Sequence, residues 1–346
     1  MIELRNDYSQ GAHERILDKL AGINRQPNQG YGADDYCRAA QERVRRLTGK
    51  PETKLWFIPG GTQANLTVIS SILRPHQGVI AADTGHISVH EAGAIEATGH
   101  KVLTVPHRDG KLTAESIREL IDAHYADETH EHMVQPGMVY LSNTTEMGTV
   151  YSHRELRDIS DICREKGLPL YLDGARLGFA FACEESGLDL AAVAACCDVF
   201  TIGLTKQGAL FGEAVVVVNP LLQHGFTSLV KQRGALMAKG WLMGLQFETL
   251  MEDGLYLSLS RQAVMLAMKM RDGLKALGLD FLIDSPSNQQ FPILPDAAAG
   301  KLRASVSFNV IAPLPGGLTA IRLCTSWATE EAEIDALLTA VREALA

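Results

Sequence analysis

Three short segments carry side chains that could act together on a small anionic molecule. Pro59-Gly60-Gly61-Thr62-Gln63-Ala64-Asn65 follows the apolar run Leu55-Trp56-Phe57-Ile58 and opens a helical pattern that reaches about Leu73. Its glycines allow close backbone approach. The free N–H groups of a helix start, with the side chains of Thr62 and Gln63, suit an anion. The same residues also serve a tight strand-to-helix turn that holds nothing. Asp173-Gly174-Ala175-Arg176 follows Leu170-Tyr171-Leu172. An acid at a strand end can hold a proton on a ring nitrogen, and Arg176 can reach an anionic group at the same mouth. A surface ion pair is the plainer alternative. Thr205-Lys206-Gln207-Gly208-Ala209 follows Val199-Phe200-Thr201-Ile202. Most lysines are solvated, but this one sits between a strongly apolar run and a glycine turn. A lysine in a desolvated mouth has a lowered pKa and can form a Schiff base.

The order of these pieces matters more than any one of them. Each stands after a short apolar run, and such runs recur between helical patterns from about residue 54 to 218. Val79-Ile80-Ala81-Ala82, Lys101 to Val105, Met138-Val139-Tyr140-Leu141 and Ala214 to Val218 complete the set. Strands alternating with helices predict a mainly parallel sheet covered on both faces, with ligands at the carboxyl ends of the strands. The stretch from Lys231 to about Leu277 reads as helical, rich in Leu and Met. Beyond it, Phe281-Leu282-Ile283, Phe308-Asn309-Val310-Ile311 and Ala320 to Cys324 read as strands. A closing amphipathic helix follows Thr329 as its cap, with Glu330 and Glu331 in its first turn. The expected organisation is an N-terminal arm over 1–30, a large α/β domain over 31–249 and a small α+β domain over 250–346.

Composition narrows the function classes. Of the 346 residues, 46% are apolar and 21% charged, which fits a globular chain with a sizeable core. Forty-one acids against 32 bases give a net charge of -9, with no basic stripe, so nucleic acid is not an expected partner. No apolar window is long enough to span a bilayer, and the N-terminus lacks the features of a signal peptide. Six scattered cysteines without a Cys-x-x-Cys pair predict reduced thiols and a cytoplasmic protein. His86 and His90, and His130-Glu131-His132, invite a metal. No third ligand follows from the spacing, so no metal is expected.

The sequence resembles the threonine aldolase and β-eliminating lyase family of pyridoxal-phosphate enzymes, of fold type I. The resemblance covers nearly the whole chain. It is carried by Leu4-Arg5-Asn6-Asp7, Tyr31-Gly32-Ala33-Asp34-Asp35, Gly61-Thr62-Gln63-Ala64-Asn65, His86 with Glu91-Ala92-Gly93, Asn143-Thr144, Asp173-Gly174-Ala175-Arg176, Thr205-Lys206 and Arg322-Leu323. It implies a seven-stranded sheet with one antiparallel strand, and a homodimer or homotetramer with sites at subunit interfaces. By the same resemblance, Gly61 and Thr62 bind the cofactor phosphate and His86 stacks on the pyridine ring. Asp173 pairs with the ring nitrogen and Lys206 holds the cofactor covalently. Arg176 and Arg322 hold the substrate carboxylate, Asn6 contacts the substrate, and Tyr31 and Lys239 reach the neighbouring subunit's site.

The implied reaction is cleavage of a β-hydroxy-α-amino acid, of the L-threonine, L-allo-threonine or phenylserine type, to glycine and an aldehyde. β-Elimination, or joining a glycine-derived carbanion to another electrophile, would use the same cofactor residues. A noncatalytic cofactor-binding homologue is the reading from another class. The pattern departs from many relatives in one place that bears on mechanism. Thr145 stands where many low-specificity threonine aldolases have a histidine. A threonine hydroxyl scarcely ionises at neutral pH, so the base at the substrate's β-hydroxyl must lie elsewhere. His86, Glu146 or a water are the candidates, although a solvated carboxylate is the ordinary state of a loop glutamate.

Overall fold

The computed structural model describes residues 1–346. The chain begins with a short strand, β1 (Ile2–Glu3), and then lays seven strands into one sheet. These are β2 (Lys54–Ile58), β3 (Gln77–Ala82), β4 (Val102–Val105), β5 (Gln135–Ser142), β6 (Leu170–Asp173), β7 (Val199–Gly203) and β8 (Glu213–Val217). Their order across the sheet is β2-β8-β7-β6-β5-β3-β4. All neighbours are parallel except those of β8, which runs against β2 and β7. The seven apolar runs of the sequence are these seven strands, and the single antiparallel strand agrees with the family resemblance.

The apolar runs are continuous because both faces of the sheet are covered. Successive residues alternate between two cores, as the strand period demands. Ile80, Val139, Leu172, Phe200 and Val216 belong to one, and Val79, Met138, Tyr171, Val199 and Val215 to the other. The helices that cover the sheet start at the carboxyl ends of the strands, so each strand end delivers its next residues to one edge. There β6 and β7 approach so closely that a Cβ on Gly174 would lie 1.9 Å from the Thr201 carbonyl oxygen. Only glycine fits between them.

The C-terminal region builds its own layer from β9 (Gln289–Gln290), β10 (Ile293–Pro295), β11 (Val306–Ser307), β12 (Asn309–Leu314) and β13 (Leu318–Cys324). Strand β13 is the hub, antiparallel to β9, β10 and β12. A third core lies under this layer and takes in Leu4 together with Leu266 and Met270 of the long helix Leu255–Ala276. The N-terminus is tied to the same layer, because β1 runs parallel to β11.

Three local expectations are corrected. The helical stretch from Lys231 to about Leu277 is broken, holding the end of Phe226–Gln232 and then the helices Trp241–Met251 and Leu255–Ala276. The last junction turns on left-handed residues Asp253 (φ 53) and Gly254 (φ 70). Phe281-Leu282-Ile283 makes one isolated bridge, Phe281 to Pro292, and no strand. The closing helix, Glu331–Leu345, is capped by Glu330 in a reciprocal box with Glu333. The Thr329 hydroxyl is engaged elsewhere, accepting from the Ser326 N–H at 2.8 Å.

Candidate active site

A cleft of about 260 Å³ opens at the carboxyl edge of the sheet. Six side chains or backbones singled out in the sequence line it: Gly61, Thr62, His86, Asp173, Arg176 and Lys206. They arrive from the ends of β2, β3, β6 and β7. Ser142 joins them from the end of β5, Glu146 from just beyond it, and Glu213 from the start of β8.

Lys206 is half-buried and makes no hydrogen bond or ion pair. Burial, and then the nearby charge of Arg176, lower its pKa. Asp173 is buried, and its partners are neutral donors. Its Oδ2 accepts from Tyr140 Oη at 2.8 Å and Asn65 Nδ2 at 2.9 Å, and Oδ1 accepts from the Ala175 N–H at 2.9 Å. The helix Gly61–Ile72 begins at Gly60 with no side chain capping it. Its first N–H groups therefore face the cleft without intrahelical acceptors.

Asn65 links this group to a second one. It donates to Glu91 Oε1 at 2.7 Å as well as to Asp173, and accepts from Tyr171 Oη at 2.6 Å. Glu91 Oε1 also meets His86 Nδ1 at 2.8 Å. Burial works against the charged imidazole, but the Glu91 hydrogen bond and the charges of Asp173, Glu91 and Glu146 outweigh it and raise the pKa of His86. On the other side, Glu146 Oε1 accepts from the His86 backbone N–H at 3.0 Å and from Ser142 Oγ at 2.8 Å. Its Oε2 is buried without a partner, and burial raises its pKa. Glu146 is thus not a solvated loop carboxylate. Thr145 does not line the cleft, because its hydroxyl is bound to Thr149 Oγ1 at 2.7 Å.

The two arginines differ in a way the sequence did not disclose. Arg176 is forked onto Asp7, Nε to Oδ2 at 2.7 Å and Nη2 to Oδ1 at 3.0 Å. Asn288 Nδ2 donates to the same carboxylate at 3.0 Å. Burial opposes ionisation of Asp7, but the charges of Arg176 and Lys206 and these hydrogen bonds hold its pKa down to about 2. Arg322, on β13, has no carboxylate partner. Its Nη1 reaches Gln289 Oε1 at 3.4 Å and its Nε is buried without a bond. Its charge is felt at His90, whose pKa it helps to lower after burial and His86.

Asn6, Tyr31, Lys239 and Arg322 lie outside the lining of the cleft. Asn6 turns its Oδ1 back onto the Tyr8 N–H at 2.9 Å and Ser9 Oγ at 3.0 Å. Tyr31 is exposed, with Lys231 Nζ 4.6 Å from its ring centre, and Lys239 is exposed too. The sequence alone gives Asp7, Asn65, Glu91 and Tyr140 no role. Only Glu91 left a trace there, five residues after His86.

The model of the beta-eliminating lyase family matches residues 3–293. The chain belongs to this family. It is similar to the low specificity L-threonine aldolase of a Pseudomonas strain, 31% identical over 98% of this chain and 97% of that one. The solved threonine aldolase of Leishmania major is 45% identical, covers each chain in full and superposes with a TM-score of 0.97. At 18% identity, an aspartate aminotransferase variant of Thermus thermophilus covers 100% of this chain and 92% of its own with a TM-score of 0.72, which shows the shared fold alone. Within this family the cofactor is pyridoxal 5'-phosphate, and this chain is a pyridoxal-phosphate enzyme of fold type I. No helix is long and apolar enough to cross a membrane.

Proposed function

We infer that this family member cleaves β-hydroxy-α-amino acids of the L-threonine, L-allo-threonine or phenylserine type to glycine and an aldehyde. One observation carries the reading. The cleft presents a free amine on Lys206, a carboxylate on Asp173 that lacks a cationic partner, and an uncapped helix start at Gly61. These match the carbonyl, the protonated ring nitrogen and the phosphate of pyridoxal phosphate, one to one. Lys206 would hold the carbonyl carbon, Asp173 the ring nitrogen, Gly61 and Thr62 the phosphate, and His86 a face of the ring. Bound there, the cofactor supplies an electron sink for the pair released at the substrate's Cα.

The remaining steps belong to side chains. Of the two arginines that the family resemblance gives to the substrate carboxylate, Arg322 is the one without a carboxylate partner, and it takes that role. Arg176 is neutralised by Asp7, which takes its Nε and one Nη2 hydrogen, so it positions more than it binds. His86 Nε2 takes the β-hydroxyl proton. Glu91 fixes the ring by accepting from Nδ1, which leaves Nε2 as the lone-pair nitrogen and makes it more basic. Glu146 is the second candidate, but its free oxygen is buried, whereas the His86 side chain is 35% exposed.

Product analysis of the cofactor-loaded protein tests the reaction. L-Threonine, L-allo-threonine and phenylserine should each give glycine and the matching aldehyde in equal amounts. Ammonia and a 2-oxo acid from threonine would mean β-elimination instead. Bound cofactor with no product from any of them would make the chain a noncatalytic binder. We further read the protein as a homodimer or homotetramer in which Tyr31 and Lys239, exposed and remote from their own cleft, complete the neighbour's. The six free, buried cysteines support a reducing compartment such as the cytoplasm.

A further inference from the structure

Glu213 is the cleft acid that none of these steps uses. It opens β8, and all five residues of that strand are buried. The other four are Ala214, Val215, Val216 and Val217, so this is a charged residue type at the mouth of an otherwise apolar strand. Its cross-strand partners, Ile58 and Gly203, offer it no polar side chain. Only 5% of Glu213 is exposed, and its Oε2 is buried without a hydrogen bond. Its Oε1 lies 3.9 Å from the point where a Cβ would stand on Gly61. The carboxyl group therefore looks into the cleft at the uncapped start of the helix Gly61–Ile72.

That position is contradictory for a carboxylate. A helix start with free N–H groups attracts an anion, and the phosphate assigned to it carries close to two negative charges at neutral pH. A second anion on Glu213 would repel it. A neutral carboxyl group has the opposite effect, because its O–H is a hydrogen-bond donor. We propose that Glu213 is a phosphate-binding residue that works as a neutral acid, donating its O–H to a phosphate oxygen of the cofactor. The proposal rests on the placement of the phosphate at Gly61 and Thr62.

The surroundings favour the neutral form. Burial is the largest influence on Glu213; Lys206 pulls its pKa down and Asp173 pushes it up, and the outcome is a pKa raised to about 8. The other ionisable groups that feel its charge are Tyr171 and Tyr256, both kept protonated by burial. The helix Gly61–Ile72 presents Gly61 and Thr62, and β2 and β7 present Ile58 and Gly203, none of which titrates. A bound phosphate adds negative charge and raises the pKa further. The neutral, binding form therefore prevails below about pH 8, and phosphate affinity is lost as the pH rises from there.

The test compares the cofactor with its phosphate-free analogue. The holoenzyme is dialysed to equilibrium against pyridoxal phosphate or pyridoxal at stepped pH, and bound ligand is read from its absorbance. Titration of Lys206 affects both ligands and cancels in the ratio of their dissociation constants. The phosphate's second pKa, about 6, lies below the window. In the wild type the preference for pyridoxal phosphate should fall by about tenfold or more above pH 8, the size of one lost charge-assisted contact. Glu213→Gln keeps a neutral donor, so its preference should stay level across the range. Glu213→Leu should show a weak preference at every pH. A level preference in the wild type, which needs no variant, would overturn the proposal while leaving the phosphate site intact. So would an unchanged pH dependence in Glu213→Gln. Equal affinity for the two ligands at every pH would instead sink the phosphate assignment itself.

Discussion

His86 and Glu91 meet at 2.8 Å, and their arrangement gives proton abstraction a pH signature. The working base must be neutral, so kcat/KM should climb as the pH rises through the pKa of His86, which lies above the ordinary imidazole value. The same raised pKa means that the pair's contribution to stability is complete below the unfolded imidazole value and is lost as the pH rises through the folded one. Glu91→Gln removes the carboxylate charge but keeps an acceptor. It should move the rising limb of the profile down by about one unit and lower turnover about tenfold. An unmoved limb would mean that His86 only stacks on the cofactor. The arginines separate in the same manner. Arg322→Lys keeps the charge but loses the fork, so glycine and substrate should both bind about tenfold or more weakly, with little change in urea stability. Asp7→Asn strands the buried charge of Arg176, 11% exposed, and should cost about 3–5 kcal/mol of stability. Its glycine affinity should hardly change. If Arg322→Lys binds glycine normally, the carboxylate belongs to Arg176 after all.

At the scale of elements, the sheet edge works because β6 and β7 can close on each other. Gly174 donates its N–H to Thr201 Oγ1 at 2.7 Å, and its carbonyl accepts from Gly203 at 2.9 Å. Gly174→Ala drives a methyl group into the Thr201 carbonyl. It should cost about 1–3 kcal/mol, as overpacking does, and push Asp173 away from the strand end that leads to Lys206. Thermal melting and the absorbance of bound cofactor should therefore both fall. A variant that melts early but binds cofactor normally would show that the edge tolerates the shift. Strands of this kind were legible in the sequence, because burial on both faces writes them as unbroken apolar runs. Helix ends were less so, since a cap depends on which of two neighbouring oxygens, Thr329 or Glu330, happens to be free. That Gly61, Asp173 and Lys206 share one edge was legible, because Asp173 ends β6 and Gly61 and Lys206 stand just beyond the ends of β2 and β7. Asp7 and Glu91 were not, as their partners stand 169 residues away and behind a turn respectively. Glu213 was hidden for another reason. A glutamate at the start of a strand ordinarily marks the surface, and only the fold shows that this end of β8 points into the cleft.

At the scale of the whole molecule, the cleft of one chain uses neither Tyr31 nor Lys239. Both sit on a structure shared by two segments. The Tyr31 N–H donates to the Ala238 carbonyl at 3.3 Å, and a Cβ on Gly30 would lie 2.6 Å from that same oxygen. The segment around Tyr31 is thereby fixed against the one before Gly240, and Lys231 lies over the Tyr31 ring. A tyrosine held with left-handed backbone (φ 60) and 53% exposed is a costly feature to keep on a free surface. Contact with a second subunit would repay that strain. If the sites are shared, two kinds of inactive protein can rescue each other. Lys206→Ala removes the amine from its own cleft, and a double variant, Tyr31→Ala with Lys239→Ala, removes what the chain offers its neighbour. Each should be inactive or nearly so alone. Mixed under conditions that let subunits exchange, they should form hybrids with one site built from intact Lys206, Tyr31 and Lys239, and activity should reappear. Size-exclusion chromatography with light scattering establishes whether the assembly exists, and the mixing experiment establishes whether it matters for catalysis. A stable dimer without rescue would confine Tyr31 and Lys239 to the interface, and a monomer of full activity would remove them from the site altogether.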